Sequence, residues 1–364
     1  MKEILLIAFC LLHIALYGQS IYQTIDTTNT SISKRINFIR NYYNSSTNED
    51  GKKFWHPKLK DIINYNSATS IETFSRNNAP RRIKDGLRLE IIELEILNDT
   101  LSYVKIEMRT PDDGIALATM KYYIIENNGV LYFDNAINYE KNLFSLYQTP
   151  NIDYYISPYK SFPKSELLKG SEVIDSLNNI LLSKKDKRKI EVYLCSNIEE
   201  MNIVANMSKY YGRQGGFANS ELGFTAFMYE SPIHSHEFVH LLLCGTKKDN
   251  YILEEGIATL FGGLSPSQSY ISGKNLIKEC LISGTCSIED IIIQNRKNLT
   301  LQYTIWAVFC EYIINKLGKD KLFEFYYDKN VNDSNIINKV CDIINISEDQ
   351  LFINLKNAIL NNDK

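Results

Sequence analysis

The chain has 364 residues, and its 40 lysines and arginines nearly balance 43 aspartates and glutamates, for a net charge of −3. With 44% apolar and 23% charged residues it has the make-up of a folded protein and not of a disordered one. No basic block interleaves with aromatics, which excludes a nucleic-acid partner on charge, and the length leaves room for two domains.

The first residues, MKEILLIAFCLLHIALYGQS, have the layout of a secretory leader: Lys2, an apolar run from Ile4 to Leu16, then Gly18 before polar Gln19 and Ser20. We expect a signal peptide over residues 1–18. Its apolar run is short for a membrane span, and no later segment is apolar enough to make one. The expected location is extracytoplasmic, periplasmic or secreted; an uncleaved anchor is the alternative.

Next comes a helix over Ser31–Tyr43, with Ile32, Ile36, Ile39 and Tyr43 at helical spacing. Four alternating runs follow, Leu87–Leu97, Leu101–Arg109, Ile115–Glu126 and Val130–Ile137, split by the turn signals NDT, PDDG and NNG. A helix and a four-stranded antiparallel meander make a small α+β domain over residues 19–148. This element order is similar to the cone-shaped folds of the nuclear transport factors, although no residue motif carries the likeness. The stretch 148–165, with three prolines, reads as a boundary.

Beyond it we expect a helix over Glu166–Leu182, a strand over Lys189–Cys195, a short helix over Ile198–Met207 and a strand over Gly223–Tyr229. The run Lys184–Lys189 reads as a solvated turn. The remainder is helical: Glu254–Leu264, Gly273–Ile282, Ile288–Gln294, Leu299–Leu317, Lys319–Tyr327 and Glu348–Leu360. Six cysteines follow the leader: Cys195, Cys244, Cys280, Cys286, Cys310 and Cys341. Cys280 and Cys286 flank a turn-rich LISGT, so either they close a disulfide or all six are buried thiols.

Of the five histidines, three fall in SPIHSHEFVH, residues 231–240. Ser231 can cap a helix that has Pro232 first, and Gly245 can end it. That helix is apolar nearly all round, so it is expected to be buried. His236 and His240 are four residues apart and share a face, with Cβ atoms about 5–6 Å apart, a spacing that suits two imidazoles on one metal ion. Glu237, one position along, is placed to take a proton from a water that the metal activates. His234 points elsewhere and reads as a surface group at the helix end, and His56 as an ordinary surface residue. Catalytic zinc usually has a third protein ligand. Leu243 and Thr246 stand where the metzincin pattern needs glycine and histidine, so that branch is excluded. Downstream, YILEEGIATLFGG places Glu255 before Gly256 on a helix rich in small residues.

HEFVH followed by LEEGIA resembles the gluzincin branch of zinc metallopeptidases, the thermolysin-like and peptidase MA-like families. The resemblance covers about residues 150–364 and implies a zincin-like catalytic domain over 149–364, a small mixed sheet plus a helical half. It implies His236, His240 and Glu255 as zinc ligands and Glu237 as general base. Glu254 is an alternative third ligand, and Asp249 a more distant one. The resemblance also implies a role for Tyr303, whose hydroxyl would stabilise an oxyanion. The strand Gly223–Tyr229 either offers an edge to an extended peptide or is simply buried. Only 14 residues separate His240 from Glu255, and GFANSELGFTAF lacks the aminopeptidase G-x-M-E-N element. The expected function is hydrolysis of a peptide or protein substrate by zinc-activated water. The alternatives are a zinc-binding interaction protein that has lost turnover and a zinc hydrolase of a non-peptide bond.

Overall fold

Alternating apolar residues build the first sheet. The computed structural model describes residues 21–23, 29–43, 53–57, 88–110, 113–181, 189–205, 207–210, 216–220, 223–243, 250–293 and 298–361. The expected leader, the lysine-rich residues 184–188, Cys244, Gly245, Thr246 and Asp249 lie outside them. In chain order come β1 (Ile21–Gln23), α1 (Thr30–Tyr43), β2 (Arg88–Ile96), β3 (Leu101–Arg109), β4 (Ala116–Asn127), β5 (Val130–Asn135), α2 (Ile137–Glu140), β6 (Ser145–Gln148) and β7 (Ile152–Ile156). Then follow α3 (Lys164–Leu181), β8 (Ile190–Leu194), α4 (Ile198–Val204), β9 (Met207–Tyr210), β10 (Gly216–Asn219) and β11 (Phe224–Phe227). The rest is helical: α5 (Ser235–Leu242), α6 (Tyr251–Gly262), α7 (Tyr270–Ile282), α8 (Ile288–Ile293), α9 (Leu299–Leu317), α10 (Lys319–Tyr327), α11 (Ile336–Ile344) and α12 (Glu348–Leu360). Each half mixes helices with a sheet, so the class is α+β.

The chain forms two compact units. Met1–Ser145, Tyr155–Lys160 and Cys195–Gly215 make the first; Leu146–Tyr154, Ser161–Leu194 and Gly216–Lys364 make the second. In the first, β2 to β5 are an antiparallel meander. Asn128 and Gly129, both at positive φ (50° and 80°), turn β4 into β5, the conformation that an Asn-Gly hairpin adopts. On β3, Ser102, Val104, Ile106 and Met108 are buried while Tyr103 and Lys105 face the other way. Helix α1 lies on the buried side, with the Phe38 and Tyr42 rings 4.7 and 5.0 Å from Phe133. Its buried Arg35 donates to Ser102 Oγ at 2.8 Å and to the Ser31 carbonyl at 3.2 Å, so the charge enters the core with partners. The sheet has six strands, because β1 adds parallel to β2 and β9 adds to β4 at Ala118–Met120.

The second unit has a five-stranded sheet in the order β10-β11-β8-β7-β6, with β11 parallel to β8 and antiparallel to β10. Here the structure adds detail to the expectations and changes one bound. The proline-bearing stretch 148–165, within which the chain passes between the two units, also carries β7: Pro150 sits in the β6–β7 turn and Pro158 and Pro163 follow β7, where a missing N–H costs no ladder bond. The helix expected to reach Met207 stops at Val204, and Met207 opens a strand. Phe224–Phe227 is an inner strand, buried at every position, and β10 is the edge beside it. Helix α11 adds to the expected helices; Val340 and Cys341 are buried in it.

Candidate metal centre

Helix α5 begins at Ser235 and not at Pro232. Ser231 caps no helix; its Oγ accepts the Ile233 N–H at 3.2 Å in a tight turn, and His234 occupies the N-cap position. Phe238, Val239, Leu241 and Leu242 are buried, and this anchors the helix inside the unit. One turn apart, His236 and His240 bring their Nε2 atoms to 3.2 Å. The other nitrogen of His236, Nδ1, lies 2.7 Å from the Gly263 carbonyl and is fixed by it.

Helix α6 supplies the third group. The Ile252 N–H donates to Asp333 Oδ1 at 2.8 Å, satisfying one of the free donors of its first turn. Glu255 therefore falls on the second turn, one turn later than the expected helix start at Glu254 implied. Its Oε2 lies 3.2 Å from His236 Nε2 and 3.5 Å from His240 Nε2. Two glycines seat this helix. A Cβ on Gly262 would stand 2.5 Å from the His236 backbone nitrogen, so α6 meets α5 with no side chain between. A Cβ on Gly256 would stand 2.7 Å from the Trp306 carbonyl and from Cys310 Sγ, so this glycine admits α9 and not the histidine helix.

One ligand atom from each of His236, His240 and Glu255 lies within 4.8 Å of the other two, and the group could hold a metal ion. Burial works against a charged Glu255, but the His240 charge and hydrogen bonds from both imidazoles prevail and hold its carboxyl well below the usual range. Burial likewise opposes a charged His240, yet Glu255, with help from Glu254 and Glu237, raises it well above an ordinary histidine. A cation is at home among these groups, whether proton or metal.

Glu254 is not in the group. Its Oε1 stands 3.6 Å from His240 Nδ1, on the other side of that ring. Glu237 is half-buried on α5, and its charge is felt at His240. The Tyr303 ring lies nearly parallel to His236, with centroids 6.1 Å apart and 17° between planes, and Trp306 continues the stack at 5.7 Å. His234 is no surface group. It is 4% exposed, packed edge-on against Phe227 and Tyr229, and burial with the two nearby imidazoles pushes its pKa down to about 3. His56 is half-buried in the first unit, edge-on to Tyr132.

Sequence reasoning missed the Gly263 carbonyl, the Glu254 contact with His240, and β10. A backbone acceptor leaves no trace in a motif; the Glu-Glu doublet did. Cys280 and Cys286 form a disulfide, while Cys195, Cys310 and Cys341 are buried thiols. No described helix is long and apolar enough to cross a membrane. No family model matches the chain, and no curated protein matches it.

Proposed function

We propose that the chain is a zinc metallopeptidase with a gluzincin-like catalytic domain built on α5 and α6. One observation carries this reading. Zinc binds imidazole nitrogen and carboxylate oxygen at about 2.0–2.1 Å, so ligand atoms at the corners of a tetrahedron stand about 3.3–3.4 Å apart. The three separations here are 3.2, 3.2 and 3.5 Å. Calcium and magnesium want six or more oxygens, and two imidazoles argue for a softer ion. Zinc bound there would act as a Lewis acid, making a water acidic near neutral pH and polarising a carbonyl.

The chain's own residues do the rest. Glu237 takes the proton of the attacking water and passes it to the leaving amine. The Tyr303 hydroxyl, on a ring held parallel to His236, is the candidate donor to the developing oxyanion. Among the described residues no strand pairs with the outer edge of β10, which leaves main-chain groups for an extended peptide to join; this suits a substrate read mainly by backbone. The Cys280–Cys286 disulfide supports an extracytoplasmic location, since such bonds persist in oxidising compartments.

The experiment is zinc content and hydrolysis of a broad peptide library, on wild type and Glu237→Gln. We expect one zinc in each and cleavage by wild type alone. Zinc without cleavage in both would replace the peptidase reading with a zinc-binding interaction protein or a hydrolase of another bond. Absence of zinc would overturn the site.

A further inference from the structure

We infer that Glu254 is a positioning residue whose carboxylate holds the His240 imidazole by Nδ1 and keeps Nε2 turned to the metal. This rests on the metal site formed by His236, His240 and Glu255, and not on which bond is cleaved there.

The two histidines are anchored differently. His236 has its Nδ1 on a neutral carbonyl, that of Gly263, at 2.7 Å. His240 Nδ1 is buried and makes no hydrogen bond among the described residues. An imidazole nitrogen removed from water needs a partner. The Glu254 carboxylate, 3.6 Å away, is the charged group that faces it. Consecutive residues on a helix project about 100° apart. Glu255 and Glu254 thus bracket one ring, Glu255 from the Nε2 side and Glu254 from the Nδ1 side.

This geometry argues against Glu254 as a ligand. Nε2 of both histidines and Oε2 of Glu255 converge on one point, and Glu254 stands across the imidazole from it. It gives the Glu-Glu doublet two distinct tasks. A carboxylate beside Nδ1 favours the tautomer that carries its proton there and leaves Nε2 free, and makes that nitrogen a better electron donor. Glu254 keeps a side-chain exposure of 23%, so part of its charge stays solvated and its removal leaves no buried hole.

The test is the zinc dissociation constant, measured by competition with a chromophoric chelator, for wild type, Glu254→Gln and Glu254→Leu. Proton–nitrogen spectra of histidine-labelled, zinc-loaded protein run alongside. We expect Glu254→Leu to weaken zinc about 10- to 100-fold and Glu254→Gln, which keeps a polar oxygen there without the charge, to fall between. One zinc per chain should persist at saturation. The His240 Nδ1–H resonance should lose its downfield shift in Glu254→Leu while that of His236 stays in place. Unchanged affinity would overturn the inference, as would both resonances moving together, the sign of general loosening. Loss of zinc from Glu254→Gln at saturation would make Glu254 a ligand instead. A wild type that binds zinc and cleaves no peptide would defeat the proposed reaction alone, and one that binds no zinc would defeat both.

Discussion

His236 and His240 present Nε2 to Nε2 at 3.2 Å, and Glu255 closes the triangle. Two bare ring nitrogens that close repel unless a proton or a metal ion lies between them, so if the triangle holds the proposed ion, folding and metal loading are coupled. With zinc at a hundred times its dissociation constant, binding to the folded state adds about 2.7 kcal/mol. Chelation should lower the melting temperature by several degrees, and zinc should restore it. The measurement is a calorimetric melt with and without chelator; superimposable melts would mean that no ion is bound in this triangle. His240→Ala should melt like the chelated wild type and fail to respond to zinc.

Gly262 lets the two site helices touch. A Cβ there would meet the His236 nitrogen at 2.5 Å and its Cα at 2.6 Å, both backbone atoms that cannot swing away. Gly262→Ala should cost about 1–3 kcal/mol in urea melts, the range of an overpacked core, and should weaken zinc as well by displacing His236. Gly256→Ala pushes on Trp306 and Cys310 instead. It should cost similar stability with less effect on zinc. Equal effects of the two on zinc would break the assignment of faces.

Tyr303→Phe keeps the ring that lies against His236 and removes only the hydroxyl. If that hydroxyl stabilises an oxyanion, kcat should fall by roughly 10²-fold, with KM and zinc content unchanged. A variant as active as wild type would reduce Tyr303 to a packing role beside His236 and Trp306.

The Cys280–Cys286 disulfide closes a loop with a sequence separation of 6 at the end of α7. Closing so short a loop removes about 2 kcal/mol of unfolded-chain entropy. Replacing both cysteines by serine should lower stability by about that amount and leave zinc binding intact. Two free thiols by mass mapping of the untreated protein would show the bridge absent.

The His236, His240 and Glu255 cluster was legible because most of it is local. His236, Glu237 and His240 lie within five residues, and helical periodicity alone puts the imidazoles on one face. Glu255 was legible through a glycine that follows it, although the glycine that meets α5 is Gly262, one helix face away from Gly256. A helix starting at Pro232 would put His234 at an exposed helix end; in the turn that leads into α5 the same residue packs against Phe227 and Tyr229 instead. The meander was legible from period-two alternation and an Asn-Gly turn. The strands β1, β9 and β10 were not, because three or four residues carry too little pattern, and the partners of β1 and β9 are far away in sequence.

Strand β9 has a consequence for how the chain can be cut and how it is made. Met207–Tyr210 belongs to the first sheet but is encoded after β8 of the second. No single scission separates two whole units: a fragment stopping at residue 148 would leave the Ala118–Met120 flank of β4 bare, an invitation to aggregate. On the ribosome, the first sheet waits for a strand that emerges only after much of the next sheet has been synthesised, so the two units cannot mature strictly one after the other.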